Sequence, residues 1–328
     1  MTPLLDRDRL TALLEAARGL RVAIVGDAML DVYLHGEVDR ISPEAPVPVV
    51  RVRERRMALG GAANVAQNVA ALGGRAALVA TVGRDPAGEQ LNAMLRSLGA
   101  DPGTLVTIAR PTTTKTRVLA PVQQVVRFDE EDDQNLSDEE CAAVLQSLER
   151  AIAASDALVL EDYNKGLLVP SIIERAVELA RARGIPIVVD PKFHNFFSYA
   201  GATIFKPNRR ELEAALGASV NLDATDTLPG VLERLRVEHL LLTLGERGMV
   251  LVPRHGEMLR IETTAREVFD VVGAGDTVTA YLATMLAAGA TVTEAAVVAN
   301  YAAGVEVGKV GAATVSADEV VAAWDASA

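Results

Sequence analysis

Gly273, Ala274, Gly275 and Asp276 stand immediately before an apolar, alanine-rich helical pattern in "VFDVVGAGDTVTAYLATMLAAG" (268–289). Glycines let a backbone approach a ligand closely. The free N–H groups of a helix's first turn, together with the helix dipole, favour an anion. Asp276 falls in that same turn, within reach of whatever those N–H groups hold. A carboxylate beside a phosphate site is suited to take the proton from a hydroxyl attacking phosphorus. Proton acceptance and charge stabilisation are most of what phosphoryl transfer asks of a protein. Aspartate is also common in first turns as a helix cap, and the spacing by itself leaves base and cap level.

Such residues need strands and helices to hold them. In parallel α/β folds, functional groups gather where strands end and helices begin. After an amphipathic N-terminal helix, "RVAIVGDAMLD" (21–31) reads as a buried first strand. Three prolines and a Val-Arg alternation make 33–56 an exposed strand region with one apolar face. "GGAANVAQNVAALGG" (60–74) predicts a small-residue helix, "AALVATVG" (76–83) a buried strand and 85–99 a helix. A second β-like excursion covers 112–132. Beyond it, strands in "ALVLEDY", "IPIVVDP" and "HLLLTLG" alternate with helices, and 274–288 and 293–308 predict two packed helices. This alternation implies one mostly parallel sheet with helices on both faces, the two irregular stretches meeting as a small lid.

With 328 residues, half of them hydrophobic, the chain can bury a sizeable core, packed mainly by Ala, Val and Leu because aromatics are only 4%. A net charge of -12 argues against nonspecific nucleic-acid binding, yet allows a local basic pocket for an anionic small molecule. The single cysteine, Cys141, cannot form an intramolecular disulfide and reads as a packing residue in a reducing compartment. The N-terminus, interrupted by Asp6, Arg7, Asp8 and Arg9, is unlike a signal peptide, and no charge-free apolar run spans a bilayer. A cytoplasmic location without membrane contact is the expectation.

Together, "GGAANVAQNVAALGG" and "DVVGAGDTVTAYLA" resemble the paired signatures of the PfkB, or ribokinase-like, family of carbohydrate kinases. Five further stretches are similar to the heptose-phosphate kinase branch: "VGDAMLDVYLHGEVDRISPEAPVPVVRV", "EDYNKGLL", "VVDPK", "KPNRRELE" and "NYAAGVEVGKVGAATVS". The resemblance runs from about residue 20 to 316. It implies a three-layer α/β/α core in a single domain, 1–328, with lid insertions at about 33–57 and 111–128. It also implies ATP-dependent phosphorylation of D-glycero-β-D-manno-heptose 7-phosphate on O1, on the path to ADP-heptose.

Under that resemblance Asp276 is the base, and the N–H groups of Gly273, Ala274 and Gly275 form the anion hole. "KPNRRE" brings Asn208, Arg209, Arg210 and Glu211 to the ATP phosphates, with Glu211 near Mg²⁺ through water. From the residues alone, Asn208 and Glu211 also fit a capping box. "TLGERGM" resembles the family's nucleotide loop, with Thr243, Gly245 and Gly248, and Asn300 is placed near the adenine. On the sugar side stand Asp31, Gly60, Gly61 and Asn64. Arg40, Lys115, Arg117, Lys165 and Lys192 are the candidate cations for the 7-phosphate. Val272 replaces the family's usual threonine, but a backbone carbonyl survives that change. Asp270 and Val272 therefore stay candidates for a potassium site. None of the four histidines lies in a nucleotidyltransferase motif, so the stretch reads as a kinase that needs a separate adenylyltransferase. A homodimer joined through the lids is expected, because an exposed β excursion with apolar residues needs cover.

Three alternatives remain beside this reading. The acceptor could be fructose, a fructose phosphate or a keto-deoxy sugar acid, since fold does not determine it. A nicotinamide-dependent dehydrogenase is disfavoured because "VAIVGDAMLD" lacks G-x-G-x-x-G. A catalytically silent sugar-binding protein is disfavoured by Asp276 with its glycines.

Overall fold

The computed structural model describes residues 4–100, 104–121, 123–221, 228–265 and 268–327. Val122, inside the second lid insertion, lies outside the described residues. Nine strands form the main sheet in the order β13-β12-β11-β10-β9-β8-β1-β4-β5, with β5 (Leu105–Ile108) at the edge beside β4. Five of its central strands are β1 (Arg21–Gly26), β4 (Arg75–Gly83), β8 (Ala157–Glu161), β9 (Ile187–Asp190) and β10 (Ile204–Phe205). These pair in parallel, whereas β11 (His239–Thr243), β12 (Met249–Pro253) and β13 (Leu259–Ile261) pair antiparallel with one another. The parallel strands are nearly continuous apolar runs, as in "VAIV" and "ALVL". Such runs suit a sheet covered on both faces, and most buried apolar side chains form one cluster, from which Met29, Leu30, Val32 and Val118 of the lid are separate.

Helix starts carry local signals. Ser137 with Glu140, Asn208 with Glu211 and Thr291 with Glu294 form capping boxes at α4 (Asp138–Ala153), α6 (Arg209–Leu216) and α9 (Val292–Glu306). Pro170 occupies the first turn of α5 (Pro170–Ala182), where its missing N–H costs nothing. No helix among the described residues is long and apolar enough to cross a membrane.

The run 21–31 is two strands, not one. β1 ends at Gly26, and β2 (Ala28–Ile41) leaves the core for a four-stranded lid sheet of order β3-β2-β6-β7. A Cβ on Gly26 would sit 2.1 Å from the Glu161 carbonyl oxygen, so the crossing accepts only glycine. Asp27 anchors the switch: its Oδ2 accepts the N–H groups of Tyr163 and Lys165 at 2.8 and 3.0 Å. Burial pushes this carboxyl up to about 6. β2 starts before the expected limit at 33, β3 (Pro48–Gly61) and β7 (Gln123–Glu130) run past 57 and 128, and β6 (Thr114–Ala120) falls inside 111–128. Asp31 therefore belongs to the lid and does not close the first strand.

Candidate active site

Helix α8 (Ala274–Ala287) begins at the first glycine of the motif. Gly273 is its N-cap, at φ 95°, with no side-chain cap hydrogen bond. Asp276 is thus no cap. Its Oδ2 accepts Asn64 Nδ2–H at 2.8 Å, and its Oδ1 accepts the Tyr163 hydroxyl at 2.7 Å. It is 4% exposed, and burial raises its carboxyl to about 6, with the two hydrogen bonds opposing the rise. The N–H groups of Gly275 and Asp276 find no acceptor among the described residues, whereas Ala274 N–H points back to Val271 O at 3.5 Å. A Cβ on Gly273 would lie 2.9 Å from Asn64 Nδ2. The glycine is what lets the loop close over α2 (Ala62–Ala71), which carries Asn64. Asn64, expected on the sugar diol, donates one amide hydrogen to Asp276.

The carboxyl ends of three adjacent parallel strands add residues that the sequence reading left out. Glu161 ends β8, Asp190 ends β9 and Lys206 follows β10. Lys206 Nζ lies 2.6 Å from Asp190 Oδ2, and both would be within 3.7 Å of a Cβ on Gly275. A cation therefore faces the helix start. Burial would lower the Lys206 pKa, but Asp190 and Glu161 outweigh it and raise it. Glu161 is fully buried, and neither of its oxygens has a hydrogen-bond partner among the described residues. Burial first, then Asp190 and Asp276, hold it well above the usual carboxylate range. One ligand oxygen from each of Glu161, Asp190 and Asp276 lies within 4.8 Å of the others, an oxygen set of the kind magnesium accepts. Glu306 is also buried, its oxygens without a hydrogen-bond partner among the described residues, and burial pushes it to about 8.

A cavity of about 780 Å³ opens from Asp276 toward Asn208, Glu211, Thr243 and Asn300. Asn208 and Glu211 close a capping box, with Oδ1 accepting Glu211 N–H at 2.9 Å and Oε2 accepting Asn208 N–H at 2.8 Å. Glu211 also pairs with Lys192. Lys192 is therefore held on this side of the site, not among the cations expected around the sugar phosphate. Arg209 turns to Glu213 and the Val220 carbonyl and does not line this cavity; Arg210 is exposed. Gly245 and Gly248 adopt φ 62° and 75° around a 3-10 turn, and Gly248 packs against the Ile261 carbonyl. Asn300 is 4% exposed, and its amide donates to the Glu262 carbonyl at 2.8 Å. Val268 and Val271 line the same cavity and are largely exposed.

On the lid side, Asp31 is buried and pairs with Arg117, whose guanidinium sits 5.3 Å from the centre of the Tyr33 ring. Gly60 lets β3 pass Asp31: a Cβ there would lie 2.5 Å from Oδ2. Gly61, at φ 56°, packs against the Asp27 carbonyl. Lys165 donates to Glu131 at 2.7 Å, and Lys115 faces Asp129 and Glu131 at 3.8 and 3.9 Å. Arg40 is exposed near the Ile41 end of β2, on the lid hairpin. Asp270 accepts Val272 N–H at 3.0 Å and Gly311 N–H at 3.2 Å, leaving the Val272 carbonyl on the same short loop.

A buried carboxylate at a helix start thus stands beside a cation and a cavity, at the carboxyl ends of a mostly parallel sheet. Phosphofructokinase-2 from Escherichia coli, in complex with substrates and products, superposes with a TM-score of 0.78 at 19% identity, covering 94% of this chain and 99% of that one. Ribokinase from Arabidopsis thaliana, complexed with ribose and ATP, gives 0.73 at 20% identity, covering 93% and 98%. Residues 20–319 match the model of the pfkB family carbohydrate kinases, and the chain belongs to that family of ATP-dependent carbohydrate kinases. The bifunctional protein HldE of Gluconacetobacter diazotrophicus is 45% identical over 310 residues, which is 94% of this chain and 64% of that protein. HldE of Caulobacter vibrioides is 44% identical over 319 residues, 96% and 65%. The chain thus spans just under two thirds of the length of these relatives.

Proposed function

We propose that this kinase transfers the γ-phosphoryl group of ATP to O1 of D-glycero-β-D-manno-heptose 7-phosphate, giving the 1,7-bisphosphate. The observation that carries the chemistry is Asp276, buried and gripped by Asn64 and Tyr163 at a helix start. Its carboxylate takes the O1 proton as O1 attacks phosphorus. The Gly275 and Asp276 N–H groups and the Lys206 ammonium stabilise charge on the phosphoryl oxygens. Support for the acceptor comes from the heptose-branch stretches and from the HldE relatives.

The nucleotide lies in the long cavity, its phosphates toward Asn208, Lys192 and Lys206 and its adenine against Val268, Val271 and Asn300. Glu211, Glu161 and Asp190 are the residues that would hold magnesium, which neutralises phosphate charge when bound with ATP. Asp270 and the Val272 carbonyl are the proposed seat of a monovalent cation. The kinase works in the cytoplasm as a homodimer. Val126 and Phe128, 49% and 48% exposed on one face of β7, supply an apolar lid surface for a second copy. Light scattering that finds only monomer at micromolar concentration would remove the dimer.

An ADP-release assay across candidate acceptors tests the reaction. Heptose 7-phosphate should give the highest kcat/KM. Turnover of fructose, a fructose phosphate or a keto-deoxy sugar acid without turnover of heptose 7-phosphate overturns the acceptor.

A further inference from the structure

The lid sheet carries a polar row across three of its strands. Asp31, Lys115 and Asp129 stand directly opposite one another across β2, β6 and β7. Directly paired residues of neighbouring strands share a face. Two residues along, Tyr33, Arg117 and Arg127 form the next row on that face. Arg117 is bound to Asp31, and Arg127 to Asp129 at 2.8 Å. Lys115 differs from both. Its side chain is only 14% exposed, yet its ammonium has no hydrogen-bond acceptor among the described residues, the nearest carboxylate oxygens being 3.8 and 3.9 Å away. A desolvated ammonium without an acceptor is costly, and burial lowers its pKa against the pull of Glu131 and Asp129.

Across from it, Lys165 reaches the same Glu131 carboxylate at 2.7 Å. Glu131 is the first residue after β7, and it therefore bridges a lid strand to the loop that follows β8. That loop also carries Tyr163, which binds Asp276, so Lys165 stands two residues from a partner of the base. Arg110 ties the two segments together by donating to the Asp132 and Lys165 carbonyls, each at 3.3 Å. Two ammonium groups thus converge on one carboxylate, one of them too far away to hydrogen-bond it.

We propose that Lys115 and Lys165 are the seat of the acceptor's remote phosphate, and that Glu131 is a resident anion which this phosphate displaces. The inference rests on the sugar-phosphate reading above and sharpens it. A phosphate monoester carries more charge and more acceptor oxygens than a carboxylate, so it can satisfy both ammonium groups at once. An acceptor without a phosphate leaves Glu131 on Lys165 and gains nothing from Lys115. The resident acid therefore sets the cost of entry for every anion, and only a well-placed dianion offsets it.

The test measures KM for heptose 7-phosphate and inhibition by inorganic phosphate competing with it, in the unmodified protein, E131Q and K115M. The glutamine keeps the shape but releases both ammonium groups. E131Q should lower KM for the sugar phosphate and the inhibition constant for phosphate by about three- to fivefold, the scale of a partly exposed ion pair. KM for ATP should stay within about twofold. K115M should raise KM for the sugar phosphate by about tenfold or more, from a lost charge-assisted bond. If E131Q instead raises KM, Glu131 is a lid brace and the proposal falls. It falls equally if K115M leaves KM unchanged. If the best acceptor is another sugar phosphate, the heptose reading fails alone, and the same variants decide the site on that acceptor. An unphosphorylated best acceptor overturns both.

Discussion

Two regions of this molecule bring opposite charges together, and they do so in opposite ways. At the carboxyl ends of β8, β9 and β10, Lys206 and Asp190 meet at 2.6 Å with side chains 3% and 9% exposed. In the lid, Lys165 and Glu131 meet at 2.7 Å but are 16% and 26% exposed, and Lys115 hangs back from both neighbouring acids. The floor is built on strand ends whose positions the core dictates, so its groups are held in place before any ligand arrives. The lid rests on an edge strand and a loop, where water competes for each charge and a ligand can replace a partner. Chemistry needs the first arrangement, and selective admission of a charged substrate needs the second.

The sharpest way to break this contrast is Asp276→Asn. We expect kcat to fall about a thousandfold or more, the range for a lost general base, with KM values nearly unchanged. Steady-state ADP release checks it, and a variant with full rate would show that the base lies elsewhere.

Next comes stability. Lys206→Met leaves Asp190 and Glu161 buried without their cation, so urea unfolding should report a loss of about 3–5 kcal/mol. Lys165→Met, in the lid, should cost less than about 1 kcal/mol. Equal losses would erase the distinction between floor and lid.

The pH profile follows. The proposed base Asp276, raised to about 6, can accept a proton only when ionised, so kcat/KM should fall as pH drops through about 6. The Tyr163 hydroxyl favours the ionised form. Tyr163→Phe should therefore move that limb to higher pH, and a limb that stays in place would detach the tyrosine from the base.

Glu161→Gln gives the smallest effect. The Glu161 carboxyl is raised in the folded protein. Its stabilising contribution is complete below its unfolded value and is lost as pH rises through the folded one. Glutamine does not titrate, so the variant should gain stability relative to the parent at pH 8 more than at pH 5. Thermal unfolding at the two pH values reads the sign.

The strand–helix alternation, the glycine signatures and the capping box at Asn208 were legible because each is written in neighbouring residues. The break at Asp27 was not. "RVAIVGDAMLD" is apolar enough to be one strand, and only the approach of the Glu161 carbonyl shows why Gly26 must turn the chain. Asn64 looked like a sugar ligand because amides suit diols, and only the packing of α2 against α8 turns it onto Asp276. Lys192 follows a strand and carries charge, but sequence order cannot say which side of the site it faces. Glu161, Asp190 and Lys206 sat unremarked inside quoted stretches. Their signal was position, at the ends of strands adjacent in space though well apart in sequence.

The sequence by itself determined the class of fold, the helix start at Gly273 and the presence of an acid in its first turn. Periodicity, glycine and capping chemistry act over a few residues and need no distant partner. Only the tertiary structure decided what surrounds this acid. Tyr163, Asn64, Lys206 and Asp190 come from four other segments, and burial among them lifts and orients the carboxylate. Desolvation and hydrogen-bond geometry belong to the assembled core, and no single stretch of chain contains them.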